Sequence, residues 1–123
     1  MIKFTINRVP EEQKRHRRGK GKSHFDPSKA GKDAFLKLAF DHRPLTPIDF
    51  AIQVSILFIM PRTQDKYFAE ANHIGKPDID NLIKFVLDAL NEIFWKDDGV
   101  ISKVEAHKIY GECPGTVIEI REL

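Results

Sequence analysis

Between Ile79 and Phe94 the apolar residues fall at Ile79, Leu82, Ile83, Val86, Leu90, Ile93 and Phe94. This is the i, i+3, i+4, i+7 spacing that lays one face of a helix on a core, and it predicts a helix over about 79–94. The opposite face carries Asp80, Lys84 and Asp88, four apart and stacked along the axis. Pro77 bars a helix arriving from the left, and Asp78 is placed to cap the new one. Elsewhere the period shortens to two. Met1 to Val9 alternates Ile2, Phe4 and Ile6 with Lys3, Thr5 and Asn7, a half-buried strand that Pro10 ends. Residues 48–60 carry the strongest strand signal, apolar on both faces towards the C-terminal end, as a central strand covered on two sides would be. Val100 to Tyr110 and Thr116 to Ile120 read as two strands joined at Gly111 to Gly115, an antiparallel hairpin. Asp26 and Pro27 start a further helix, expected to run to about Phe40. It would bury Ala34, Phe35, Leu38 and Ala39 and leave Lys29, Lys32 and Lys37 to water. Arg62 to Gly75 is polar and aperiodic, a loop leading to the acids.

This order of elements predicts an α+β fold: one small mixed α/β domain, with a sheet and a central amphipathic helix. At 123 residues there is room for a single domain over 1–123 with a modest core. A net charge of +2 with 31% charged residues says little about partners, but the distribution says more. Residues 14–22 gather Lys14, Arg15, Arg17, Arg18, Lys20 and Lys22 with no acid. Self-repulsion and two glycines argue for a flexible basic loop over 14–25. Such a loop is either simply solvated or a phosphate-tracking element that orders on nucleic acid. The single Cys113 rules out an intrachain disulfide framework, and no secretory or membrane-spanning stretch is seen, so a cytoplasmic setting is expected. The five histidines have no zinc spacing; His73, near the acids, is either solvated or catalytic. Neither a phosphate-binding glycine loop nor a nucleophile elbow is present.

Asp78 and Asp80, two apart, would point roughly 200° away from each other inside a helix. They converge only if Asp78 lies outside it, as a cap does. Two carboxylates about 4 Å apart repel by about 4 kcal/mol at an effective dielectric near 20 unless a proton or cation intervenes. Hard divalent cations bound through oxygen are the natural occupants. Capping alone would also explain Asp78.

The pattern Pro77, Asp78, Asp80, Asn81, Leu82, Lys84, Asp88, Leu90, followed by Trp95, Asp97 and Asp98, resembles the signature of the RusA family of crossover (Holliday) junction endodeoxyribonucleases. The motif covers residues 76–98. The resemblance implies a small homodimer that uses Mg²⁺, with Mn²⁺ as a substitute, to resolve four-way DNA junctions by paired symmetric nicks. It implies metal-binding carboxylates at Asp78, Asp80 and Asp98 and a catalytic lysine at Lys84. Asp88, Asp97 and Asn81 are expected to play supporting or structural parts. From spacing alone Lys84 reads as an i, i+4 ion pair with Asp80 or Asp88; the resemblance favours catalysis. Phe25 and Phe68 are candidates for an aromatic wedge at the crossover. A nonenzymatic basic nucleic-acid-binding module, a nuclease for other branched or single-stranded DNA, and a phosphohydrolase of small nucleotides are the alternatives.

A helix from Asp80 to Phe94 would put its ends roughly 21 Å apart. Asp98, past the far end, can join Asp78 in its own chain only if the chain doubles back or the helix ends early. In a two-fold dimer with these helices antiparallel, Asp98 of one chain would instead approach Asp78 of the other.

Overall fold

β4 (Ile52–Pro61) is the strand around which the sheet is built. The computed structural model describes residues 1–15, 17–18, 24–62 and 71–123. Four strands line up in the order β1 (Ile2–Ile6), β6 (Gly115–Glu122), β4, β5 (Ile101–Gly111). β6 is antiparallel to both β1 and β4, whereas β5 runs parallel to β4. The expected β5–β6 hairpin does not form, because β4 lies between them. Chain proximity favours pairing two strands joined by a short turn. Here the apolar alternation of β4, matched to Ile118 and Ile120 on one side and Tyr110 on the other, takes both partners instead.

Burial alternates strictly along β4. Ile52, Val54, Ile56, Phe58 and Met60 are buried, while Gln53, Ser55, Leu57, Ile59 and Pro61 are only half-buried. The strand is thus covered on one face, not on two. Two helices cover that face. α1 (Lys29–Ala39) packs beside β1 and against α2 (Ile79–Leu90), and α2 packs over β5. Phe35 meets Phe85 edge-on, with ring centroids 5.9 Å apart. Leu82, Phe85, Val86 and Leu90 of α2 are almost wholly buried, each contributing about 1.5–3 kcal/mol of transfer free energy.

α2 stops at Leu90, four residues short of the periodic pattern. Asn91 turns extended, with ψ 142°, and Glu92 takes a left-handed φ of 70°. The apolar period nevertheless continues to serve the core: Phe94 and Trp95 are fully buried, and Trp95 bridges to Ile48. α1 also sits differently from expectation. Phe35 and Ala39 are buried, but Leu38 is 52% exposed and Leu36 packs on the core in its place. The basic segment contains a short two-stranded ladder, β2 (Arg17–Arg18) with β3 (His24–Phe25), an element its charge and glycines argued against. No described helix is long and apolar enough to cross a membrane.

Candidate active site

The chain enters α2 through a turn at Gly75, whose φ of 91° suits a residue without Cβ. Lys108 fixes this entry. Its ammonium donates to the carbonyls of Gly75 at 2.7 Å and Pro77 at 2.8 Å. Asp78 is then extended (φ −71°, ψ 145°) and its carbonyl accepts the Leu82 N–H, so it occupies the cap position. Its carboxylate makes no capping bond. It is bound by the Lys76 ammonium at 2.9 Å, and that bond, with the Lys76 charge and the more distant Lys108, holds its pKa below the ordinary value. Lys76 is correspondingly raised, chiefly by Asp78, with Glu12 and Asp80 contributing. Asp78 and Asp80 are both exposed at the start of α2.

Lys84 is exposed one turn further on and makes no ion pair among the described residues. Asp88 is taken by another cation, Lys32, at 3.6 Å. Lys32 was expected in water, yet its side chain is 13% exposed and contacts Asp26 as well as the Gln13 amide oxygen, the latter at 2.7 Å. Asp26 also accepts from Gln13 Nε2 and Ser28 N, each at 2.9 Å. Burial would raise the Asp26 pKa, but these bonds and the Lys32 charge outweigh it and hold the carboxyl well below its usual range.

This cluster ties the base of the basic segment to the acidic helix. Gln13 is buried, and its backbone N–H donates to the carbonyl of Asn81 at 2.9 Å. Lys14 N–H donates to Ser28 Oγ at 2.9 Å. Glu12, Gln13, Lys14, Arg15 and Asn81 line an open cleft, with Lys14 and Arg15 exposed beside the residue that follows Asp80. Arg17 and Arg18 pair through their backbones with Phe25 and His24. Lys20, Lys22 and Phe68 lie outside the described residues. Phe25 is half-exposed at the edge of the ladder.

Asp98 is elsewhere. Its carboxylate accepts the Trp95 indole N–H at 2.8 Å, in the turn that precedes β5. Asp97 caps that turn by accepting the Gly99 N–H at 2.9 Å. Ile101, the first residue of β5, pairs with Ile52, the first of β4, so Asp98 lies at the N-terminal end of the parallel pair. The entry to α2 is held at Lys108 and Tyr110, near the other end. Seven strand steps at about 3.3 Å separate the two levels by about 23 Å. The early end of α2 therefore does not bring Asp98 back to Asp78 within one chain. Among the described residues, no three His, Cys, Asp or Glu side chains converge as a metal site.

His73 meets Tyr110 at a tilt of 49°, with ring centroids 4.7 Å apart, and burial followed by the Lys108 charge lowers its pKa. Sequence reasoning gave no role to Lys108, Lys76 or Gln13 and assigned Lys32 to water. Lys108 left a readable signal: a lone charge at an inward position between Ala106 and Tyr110.

The donor set at Asp78 and Asp80 is oxygen only, exposed, and engaged by nothing stronger than a solvent-screened lysine, which suits a hard divalent cation. A third carboxylate is missing from the same chain among the described residues. A family model, Endodeoxyribonuclease RusA, matches residues 6–121. YqaN of Bacillus subtilis strain 168, an uncharacterized protein, is 35% identical over 137 aligned residues, covering 99% of this chain and 96% of its own. The match spans β4, β5, nearly all of β6, both helices and the Asp78–Asp98 stretch alike, and the chain belongs to the RusA family of endodeoxyribonucleases.

Proposed function

We propose that this chain is a magnesium-dependent, structure-specific endonuclease that resolves four-way (Holliday) DNA junctions by paired symmetric nicks, acting as a homodimer. One observation carries this reading. Asp78 and Asp80 stand exposed at an extended-to-helix junction, uncommitted to capping, beside a Lys84 with no ion pair among the described residues and a basic segment whose base is bonded to the next residue, Asn81.

Asp78 and Asp80 would hold Mg²⁺, or Mn²⁺ in its place, with Asp98 of a second chain as the third carboxylate. The bound cation supplies an acidified water and charge neutralisation at the phosphoryl oxygens. Lys76 yields Asp78 readily because its own side chain is 83% exposed. Lys108 fixes the carbonyls of Gly75 and Pro77 on the approach to Asp78 and so sets the direction of its carboxylate. Lys84, on the same helix face as Asp80, steadies the charge that develops on the scissile phosphate. Trp95 orients Asp98 through its indole N–H. Lys14, Arg15, Arg17, Arg18, Lys20 and Lys22 hold the arms through their phosphates, reading branched shape rather than base sequence. A junction with approximate two-fold symmetry suits a dimer with two equivalent sites.

The test is cleavage of a labelled synthetic four-way junction beside linear duplex and flap controls, with Mg²⁺ or EDTA, by the wild type and Asp80→Asn. Symmetric paired nicks that require both the cation and Asp80 are expected. Junction binding without cleavage under any divalent ion would favour a nonenzymatic binding module. Equal cutting of duplex or flap would favour a general nuclease.

A further inference from the structure

Among the described residues the buried polar side chains are Gln13, Ser28 and Thr116, and the first two belong to one cluster at the foot of the basic segment. The side-chain amide of Gln13 is fully committed there. Its Nε2 donates to Asp26 Oδ1 at 2.9 Å and to the Lys14 carbonyl at 2.8 Å, and its Oε1 accepts from the Lys32 ammonium at 2.7 Å. Ser28 Oγ accepts the Lys14 N–H at 2.9 Å and donates to the Glu12 carbonyl at 3.4 Å. Residues 12–14, where the chain enters the basic segment, are thus bonded directly to residues 26–28, where it leaves. The backbone of Lys14 is held at both its N–H and its C=O while its side chain stands exposed, so the first cation of the segment has a fixed root.

The same neck is bonded to α2 in two places. Gln13 N–H donates to the Asn81 carbonyl at 2.9 Å, and Lys32 reaches Asp88 at 3.6 Å. Asn81 and Asp88 share one face of the helix about 10.5 Å apart, with Lys84 between them on that face. One attachment would fix a distance; two along the axis also fix a direction. The neck is therefore registered against Lys84 and against Asp80, which precedes Asn81.

We propose that Gln13 and Ser28 are positioning residues: by locking the neck to α2 they set the offset between DNA phosphates held at Lys14 and Arg15 and the phosphate that is cut, and so confine each nick to one position. This deepens the nuclease reading above and rests on it. Successive nucleotides of a strand lie about 3.4 Å apart along a duplex axis, so an offset loose by that much moves the nick by one nucleotide. Three residues freed from the cluster would act as a flexible tether with an r.m.s. span of about 10 Å, enough to blur the cut over about three nucleotides. A buried amide and hydroxyl with every polar atom bonded hold the neck well inside that limit. Gln13 and Ser28 need touch neither DNA nor metal, because they act through Lys14, Arg15 and Asn81.

The test maps cuts on a labelled four-way junction at single-nucleotide resolution with Mg²⁺, beside junction affinity and urea unfolding, for the wild type, Gln13→Leu, Ser28→Ala and Ser28→Thr. The wild type should cut at one position in each of a pair of strands. Gln13→Leu and Ser28→Ala should spread each cut over about three adjacent phosphates and slow cutting at the wild-type position about tenfold, with junction affinity within about twofold. Ser28→Thr, which keeps the hydroxyl, should cut as the wild type does. Ser28→Ala removes a single hydroxyl and serves if Gln13→Leu fails to fold. Ile118→Val, in the sheet core and clear of the cluster, should lower stability yet leave the cut sharp. Without DNA, spin labels at Arg15→Cys and Lys103→Cys, with the exposed Cys113 replaced by Ser, should give a narrow distance distribution that broadens when Gln13→Leu or Ser28→Ala is added. Cuts that stay at one position in both variants, an equal spread from Ile118→Val, or a label distance that stays narrow would overturn the proposal. A wild type that cuts no junction would sink the nuclease reading instead, and the label distances would still decide whether Gln13 and Ser28 lock the neck.

Discussion

Lys32 illustrates how far a single residue escapes sequence reasoning. The buried stripe of α1 runs Lys32, Phe35, Leu36, Ala39, the spacing i, i+3, i+4, i+7, with a lysine in its first place. Hydropathy reads that lysine as solvent-facing and rotates the helix to bury Leu38; the acids that receive it are Asp26, just ahead of the helix, and Asp88, far along the chain. Lys32→Met should destabilise the fold by about 3 kcal/mol in urea unfolding at neutral pH, because two partly buried carboxylates lose their shared cation. The acid partner gives a signed pH dependence. With its folded pKa depressed below an unfolded value of about 3.9, Asp26 contributes in full above about pH 4 and less as the pH falls. Asp26→Asn should therefore be less stable than wild type at neutral pH, and the gap should close as unfolding is measured at progressively lower pH. Lys84 should behave oppositely to Lys32. Exposed, and in no ion pair among the described residues, it should tolerate Met within about 0.5 kcal/mol of stability while junction cleavage falls about 10²-fold. A large loss of stability with cleavage intact would return Lys84 to an ordinary structural role.

At the scale of elements, local periodicity located β1, β4 and the start of α2, but not the single covered face of β4 or the end of α2, and it failed where a partner lies far along the chain. Nothing in Val100 to Ile120 announces that β4 will separate the two strands, since pairing is decided by which edges remain open once β4 is in place. The end of α2 was similarly hidden: Ile93 and Phe94 keep the helical spacing, but the left-handed Glu92 redirects the chain while Phe94 stays in the core. The acidic motif was legible because its chemistry is local, with Asp78 at the cap and Asp80 in the first turn. Its support was not, because Lys108, Gln13 and Lys32 reach it from three other segments. The β2–β3 ladder carries its own prediction. Arg17→Ala and Arg18→Ala should each reduce the slope of log binding constant against log salt by about 0.9 on junction DNA. A slope unchanged by both would remove these residues from phosphate contact.

In the whole molecule, β4, α2 and β5 form a parallel unit, and Asp78 and Asp80 sit outside the carboxyl end of its strands, where open α/β sheets bind their ligands. Asp98 lies at the other end, apart from Asp78 and Asp80 within one chain, a separation that helix length already pointed to. Direct evidence would come from junction cleavage by mixed dimers of an Asp78→Asn chain with an Asp98→Asn chain, each inactive as a homodimer. Sites shared between chains leave one site intact and one doubly damaged, so the mixed dimer should nick one strand in the presence of Mg²⁺. Mixed dimers as inactive as either parent would contradict the account, because sites completed within each chain would then both be damaged.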